Sequence, residues 1–457
     1  MSDIQSRVTC LFGIVAFIAI AWAVSTDRKR FPIRIVGGGL LLQLVLAYLI
    51  LQTTPGEWLF RKIGLGFESV MRNVDVGSGF LFTAGGHDAP FDGLLIRTFA
   101  FGVLPTVIFF SSLMSVLYYL GVMQKLVGAM AWVMKFTLGT SGPETLAAAA
   151  NVFVGHTEAP LVVRPYLNQM SRSELCAMMT GGFATVTGGL LGAYAGMGIE
   201  ISHLLTASVI SAPAALLIAK VMVPESDTTL ANTDRDDITN TANESNDSDM
   251  DEVKESSLAS PKSTTADSLT IELERDNVNL IGAAVEGASE GMKLAINVAA
   301  MLIAFLALIA LVDTLLATFC DWIGWVSSSG EAAISLGVIL GYLGWPIAWL
   351  LGIPAEECMV AGRLIGLKTV ANEFVAYQQL GELMQSENPP ISVRTAHVLT
   401  YALAGFSNFA AIGIQVGGVG GLAPRRKAEL AQLGLRAMFG GLLACCMTGA
   451  IAGLMMQ

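Results

Sequence analysis

Two carboxylates stand where an apolar chain has least use for them. The stretch ANVFVGHTEAPLVVRPY, residues 150–166, sets His156, Thr157 and Glu158 side by side between Gly155 and Pro160, then returns to apolar sequence. A second stretch, GLKTVANEFVAY, residues 366–377, places Glu373 after Asn372 in equally apolar surroundings. A carboxylate at membrane depth costs about 2.5–3.5 kcal/mol on insertion scales and marks an ion or solute path, unless a fixed cation neutralises it. Arg164, Arg363 and Lys368 are the cations close enough in sequence to form such structural pairs. His156 adds a ring whose usual titration range makes it a candidate proton site, beside the ordinary reading of a neutral buried histidine. Asn151 and Asn408 offer amides that serve either as ligands or as hydrogen-bonding glue between helices. The chemistry available is recognition of a polar solute or a cation. A membrane enzyme working Glu158 and Glu373 as an acid–base pair would need a nucleophile, metal cluster or cofactor motif, and the sequence holds none. The glycine-rich GIQVGGVGG, residues 413–421, lacks the Lys-Ser or Lys-Thr ending of a phosphate loop and reads as close helix packing.

The elements that must hold these residues are membrane-spanning helices. Of 457 residues, 53% are hydrophobic and 14% charged, with a mean hydropathy of +0.62; a soluble domain does not have this composition. The six cysteines lie in apolar segments without metal or disulfide spacing and read as small core residues. Residues 223–277 carry 15 acidic and 4 basic residues and so hold the whole net charge of −11; the remaining 22 acidic and 22 basic residues cancel. That acidic stretch, polar and free of aromatics, is expected to be a disordered cytoplasmic loop.

Eight segments approach the roughly 20 apolar residues that cross a ~30 Å hydrocarbon layer: 8–24, 35–51, 98–120, 176–197, 204–223, 294–316, 396–416 and 437–455. The first lacks the basic leader of a signal peptide, and its positive charge follows it, so an uncleaved span is expected. Residues 55–73 mix bulky apolar side chains with charge and read as an interfacial amphipathic helix. Basic loops stay cytoplasmic; STDRKR, VVRPYLNQMSR and APRRKAEL all lie inside only if both termini are outside. This requires two leftover regions, 128–163 and 331–377, to return to the side they enter from, as re-entrant hairpins. Each carries one of the two carboxylates and is followed by a Gly-Phe step, in GGFATVTGG (181–189) and AGFSNFAAIG (404–413). Interrupted segments at matching places in oppositely oriented halves place a transport site at the bilayer midplane. The expected fold class is therefore an all-α polytopic membrane protein, built of scaffold spans and an interfacial helix (1–94), a first repeat (95–222), the acidic loop (223–277) and a second repeat (278–457).

These motifs resemble the concentrative nucleoside transporters. NVFVGHTEAP is similar to that family's Gly-Gln-Thr-Glu hairpin tip, and GLKTVANEFVAY matches its Gly-x-Lys-x-x-x-Asn-Glu-Phe-Val-Ala-Tyr hallmark. Over about residues 95–455, outside the acidic insertion, the resemblance implies sodium- or proton-coupled nucleoside symport across the plasma (inner) membrane. It also implies a homotrimer with eight helices and two re-entrant hairpins per protomer, no cofactor beyond the coupling ion, and no nucleic-acid partner. By the resemblance, Gly155, His156, Thr157 and Glu158 face the nucleobase with Leu190 beneath, while Glu373, Phe406 and Asn408 hold the ribose. Sodium would sit among Asn151, Val154, Thr185 and Val186, whose carbonyl and hydroxyl oxygens are hard ligands. Two positions depart from the family pattern: His156 replaces a glutamine, and Ala411 replaces a serine that contacts the ribose.

Overall fold

The structure, a computed structural model, describes residues 3–82, 104–156, 158–225, 279–324 and 334–456. Thr157 and residues 226–278 of the acidic stretch lie outside the described residues. All the regular structure among the described residues is helical. The helices are α1 (Asp3–Ala23), α2 (Ile33–Leu51), α3 (Thr54–Phe82), α4 (Leu104–Tyr119), α5 (Val122–Leu138), α6 (Gly142–Asn151), α7 (Arg172–Ala184), α8 (Gly188–Gly196) and α9 (Ile201–Met222). In the second half come α10 (Leu280–Trp322), α11 (Leu336–Leu350), α12 (Cys358–Val370), α13 (Glu373–Gln385), α14 (Val393–Leu403), α15 (Phe409–Leu422) and α16 (Lys427–Met455).

Six helical segments among the described residues are long and apolar enough to cross a membrane: α1, α2, α7 with α8, α9, α10 and α16; α4 and α5 form a further apolar pair bent by 77°. Helices α7, α9 and α16 are buried over most of their length, whereas α1, α2 and α10 leave most of theirs outside the protein interior. Apolar side chains such as Ile281, Val285, Ile303, Leu315 and Trp322 are exposed along α10, a surface suited to lipid or to another copy of the chain.

Two of the expected continuous spans are broken. Segment 176–197 is interrupted at Thr185–Thr187, a β-branched run that favours extended backbone; Thr185 is extended, and Thr187 restarts the chain by accepting a hydrogen bond from Gly189 N–H (3.2 Å). Segment 396–416 is interrupted at 404–408, where Gly405 adopts φ +93°, a conformation that side chains rarely tolerate. A Cβ on Gly405 would lie 2.6 Å from the Phe183 carbonyl oxygen, so the two breaks pack directly on one another. The interfacial segment is longer than the expected 55–73, as α3 runs for 29 residues. Helix α13 likewise continues to Gln385, past the expected end of the second interrupted region.

Helices α4 and α10 meet along a stripe of small residues. A Cβ on Gly287 would come within 2.6 Å of Ser115 Cβ, and one on Gly291 within 2.8 Å of Ile108 Cα, while the Ser112 hydroxyl donates to Ala284 O at 2.8 Å. Small residues let helix backbones approach closely in lipid. Gly291→Val should overpack this seam and destabilise the protein by about 1–3 kcal/mol. Thermal melting in detergent reads this, and a melt indistinguishable from wild type would show that the seam is loosely held.

Candidate functional site

Glu373 is the first residue of α13. Asn372 ahead of it caps the helix, accepting a hydrogen bond from Val375 N–H (2.9 Å). One Glu373 oxygen accepts from the Tyr194 hydroxyl (3.2 Å) and the other from the Asn408 side-chain amide (3.1 Å). Asn408 is oriented in turn, because its carbonyl oxygen caps α15 by accepting from Ala411 N–H (2.9 Å). All three side chains are buried. The structural pairings do not form: no ion pair joins Glu373 or Glu158 to a cation among the described residues. Fully buried Lys368 instead donates to Ala402 O (3.0 Å) and Ala404 O (2.9 Å), bracing the 404–408 break, and Arg363 donates to Gln379 (2.9 Å). The Glu373 carboxylate is thus held by two neutral donors at the N-terminus of α13, whose dipole favours negative charge there. A carboxylate has about four acceptor positions, which leaves capacity for donors from a solute.

The tip carrying His156 and Glu158 follows α6. The Glu158 side chain is exposed to a cavity of about 310 Å³ lined by Tyr118, Phe153, Thr187 and Glu290 among others. Gly155 N–H points to its carboxylate at 3.4 Å. A carboxylate that opens on a cavity rather than on lipid is of the kind that membrane proteins tolerate at depth. Gly188 N–H donates to Phe153 O (3.0 Å), tying the tip to the α7–α8 break. The His156 ring packs on Phe406 with centroids 4.9 Å apart, and neither ring nitrogen has a hydrogen-bond partner among the described residues. Leu190 is buried on α8, four residues before Tyr194 and so on the same helix face. Ala411 is buried in the first turn of α15.

Two of the four expected cation ligands, Asn151 and Thr185, meet at Gly181. A Cβ there would lie 2.9 Å from the Asn151 side-chain nitrogen, and the Thr185 hydroxyl donates to Gly181 O at 2.9 Å. Asn151 is the last residue of α6, and its nitrogen donates to Met178 O (3.4 Å), which leaves its side-chain oxygen buried with no partner among the described residues. Val154 and Val186 are buried in the two interruptions, and Val186 N–H donates to the Ser208 hydroxyl (3.2 Å). The carboxyl ends of α6 and α7 both finish here, and such ends are electronegative. An orphaned buried oxygen, a hydroxyl and helix-end carbonyls fit a hard cation.

The foot of α6 is anchored by charge. Ser141 and Glu144 form a capping box, and the free side of Glu144 meets Lys220 at 2.6 Å, with both side chains 2% exposed. Lys220 also contacts Glu225 at 2.6 Å, which accepts from the Ser171 hydroxyl (3.1 Å). Lys220→Met should strand Glu144 and destabilise by about 3–5 kcal/mol, whereas Lys220→Met with Glu144→Gln keeps the cap and should recover much of that loss. Melting curves of the two variants check this; equal losses would mean that the stranded Glu144 carboxylate is not what destabilises Lys220→Met.

The structure therefore gathers Glu373, Asn408 and Tyr194 in one cluster, His156 and Phe406 in a second, and Asn151 and Thr185 in a third. Glu158 faces a separate cavity, and Thr157 lies outside the described residues. Tyr194 was not anticipated. Its only sequence signal is the i, i+4 spacing from Leu190.

Comparison with known proteins gives this geometry its context. Family models match residues 12–84 (Na+ dependent nucleoside transporter N-terminus), 100–200 (nucleoside recognition) and 203–453 (Na+ dependent nucleoside transporter C-terminus). An uncharacterized transporter of Haemophilus influenzae is 39% identical over 98% of both chains. Solute carrier family 28 member 3 of Eptatretus stoutii is 38% identical over 98% of this chain, and sodium/nucleoside cotransporter 1 of Rattus norvegicus 38% over 97%. The chain spans 61% and 63% of the length of those two relatives. The solved structure of CNTnw in an inward-facing substrate-bound state superposes with a TM-score of 0.82 at 38% identity, covering 98% of both chains. With three family models along its length and helices broken where the carboxylates and asparagines meet, the chain belongs to the Na+ dependent nucleoside transporter family.

Proposed function

We propose that this protein is a secondary active symporter that imports nucleosides together with sodium by alternating access. The observation that carries this is Glu373, a buried carboxylate with no ion-pair partner among the described residues, held between Tyr194 and Asn408. An ionised carboxylate only accepts hydrogen bonds and so suits the hydroxyl pair of a ribose. Phe406 and Asn408 complete the ribose side. Gly155, His156, Thr157, Glu158 and Leu190 form the base side, and the Ala411 methyl removes one hydroxyl contact. Sodium is the coupling ion favoured by the unpaired oxygen of Asn151 beside Thr185, with the carbonyls of Val154 and Val186 as further ligands. The rat relative is named as a sodium/nucleoside cotransporter, and CNTnw has been solved with substrate.

The protein resides in the plasma (inner) membrane with both termini outside, and it assembles as a homotrimer, for which the exposed apolar face of α10 supplies surface. Uptake of a nucleoside panel into proteoliposomes with imposed gradients tests the reading. Accumulation should follow a sodium gradient at fixed pH and collapse in choline. Accumulation driven by a pH gradient without sodium would make the protein a proton symporter.

A further inference from the structure

One lysine stands between the starts of the two helices whose far ends carry Asn151 and Thr185. Helix α6 has 10 residues and ends at Asn151; α7 has 13 and is followed at once by Thr185. They are therefore roughly 15 and 20 Å long. In the first turn of α6, Glu144 accepts from Ser141 N–H through one oxygen (2.8 Å) and meets Lys220 Nζ through the other (2.6 Å). At the head of α7, the Ser171 hydroxyl accepts from Glu174 N–H (3.1 Å) and donates to Glu225 (3.1 Å). The same Glu225 oxygen accepts from Lys220 Nζ at 2.6 Å. A continuous path thus runs from one helix start to the other through Glu144, Lys220, Glu225 and Ser171. Lys220 lies in the last turn of α9, which packs on both α6 and α7. The Ser173 hydroxyl adds a second tie, donating to Val223 O at 2.6 Å.

We propose that Lys220 and Glu225 are positioning residues for the cation site: they lock α6 and α7 together at one end so that Asn151 and Thr185 meet at the other. The inference rests on the sodium reading above and adds to it residues that never touch the ion. Its physical basis is leverage. A tilt of about 1° at the foot of a 15 Å helix moves its far end by roughly 0.3 Å, and metal–ligand distances tolerate only about 0.2 Å. A helix is stiff enough to carry such a displacement because each turn is hydrogen-bonded to the next. The lysine is suited to the task because it meets one carboxylate from each side, and its burial keeps the contact with Glu144 from solvent screening.

The test uses the full-length protein in proteoliposomes, with choline holding ionic strength constant. Glu225→Ala cuts the path but leaves the Glu144–Lys220 pair, and the Glu225 side chain is 36% exposed, so the variant should fold. Its sodium concentration for half-maximal uptake should rise about five- to tenfold, the low end of coupling between distant sites. Maximal rate and nucleoside KM at saturating sodium should stay near wild type. Glu225→Gln keeps an acceptor for Ser171 and Lys220 without the charge and should shift sodium dependence less. In an Asn151→Leu background, Glu225→Ala should add little further, since the ligand being positioned is gone. A readout without nucleoside is the rise in melting temperature that sodium produces; Glu225→Ala should need about five- to tenfold more sodium for the same rise. A lower melting temperature with unchanged sodium dependence would overturn the assignment and leave the path a structural anchor. Losses that persist at saturating sodium would overturn it too. A wild type that takes up no nucleoside would instead overturn the proposed function, and the sodium-dependent melts would still decide the positioning. A wild type whose melting sodium does not raise would overturn both the cation site and this role.

Discussion

Glu373→Gln is expected to weaken ribonucleosides by roughly ten- to a hundred-fold, the range set by losing hydrogen bonds to a charged partner. The substitution keeps shape and removes charge. It also turns one acceptor into a donor facing either the Tyr194 hydroxyl or the Asn408 amide, which both donate to Glu373 in the native arrangement. Dideoxy analogues lacking the ribose hydroxyls never make the contact, so their affinity should fall much less. Tyr194→Phe removes one of the two internal donors but leaves the charge, and its effect should be the smaller, about three- to tenfold. Competition uptake with paired ribo- and dideoxynucleosides, arranged as a double-mutant-style cycle, separates recognition from folding. Equal losses for both substrate classes would mean that Glu373 is structural.

Asn151→Leu should raise the sodium concentration for half-maximal uptake by roughly ten- to a hundred-fold, since it removes an oxygen that has no partner among the described residues and suits a cation. Nucleoside affinity should fall as well, but only through coupling: binding of two ligands is reciprocal, so saturating sodium should restore it. Thr185→Val leaves the backbone carbonyl in place and removes the hydroxyl, so the shift should run in the same direction. Sodium titrations of uptake at several nucleoside concentrations check both variants. A half-saturation value unchanged in Asn151→Leu would displace the cation from this site, and nucleoside affinity that stayed low at saturating sodium would show direct damage to the solute site.

The elements were legible in the sequence wherever local chemistry decides them. Composition dictates a bilayer, and the Gly, Pro and charged residues of 128–163 and 331–377 mark where an apolar region cannot run as one clean span, because such residues act within a few positions of themselves. The matched carboxylates in two interrupted regions were readable for the same reason. Partner choice was not. Lys368, five residues before Glu373, was a reasonable sequence candidate to neutralise it, yet it turns to the carbonyls at the 404–408 break. Tyr194 reaches Glu373 from 179 residues away, and Gln415 and His156 converge on Gly182 from opposite halves of the chain. Segments 176–197 and 396–416 read as continuous spans because hydropathy sums over a break of three to five residues without registering it. The sequence by itself determined that the chain is a bundle of apolar helices and which apolar regions carry polar groups. Which buried group satisfies which, and whether Glu158 meets protein or a cavity, was decided only by the packing of distant helices, since a buried polar atom pairs with whatever the tertiary arrangement brings within about 3 Å.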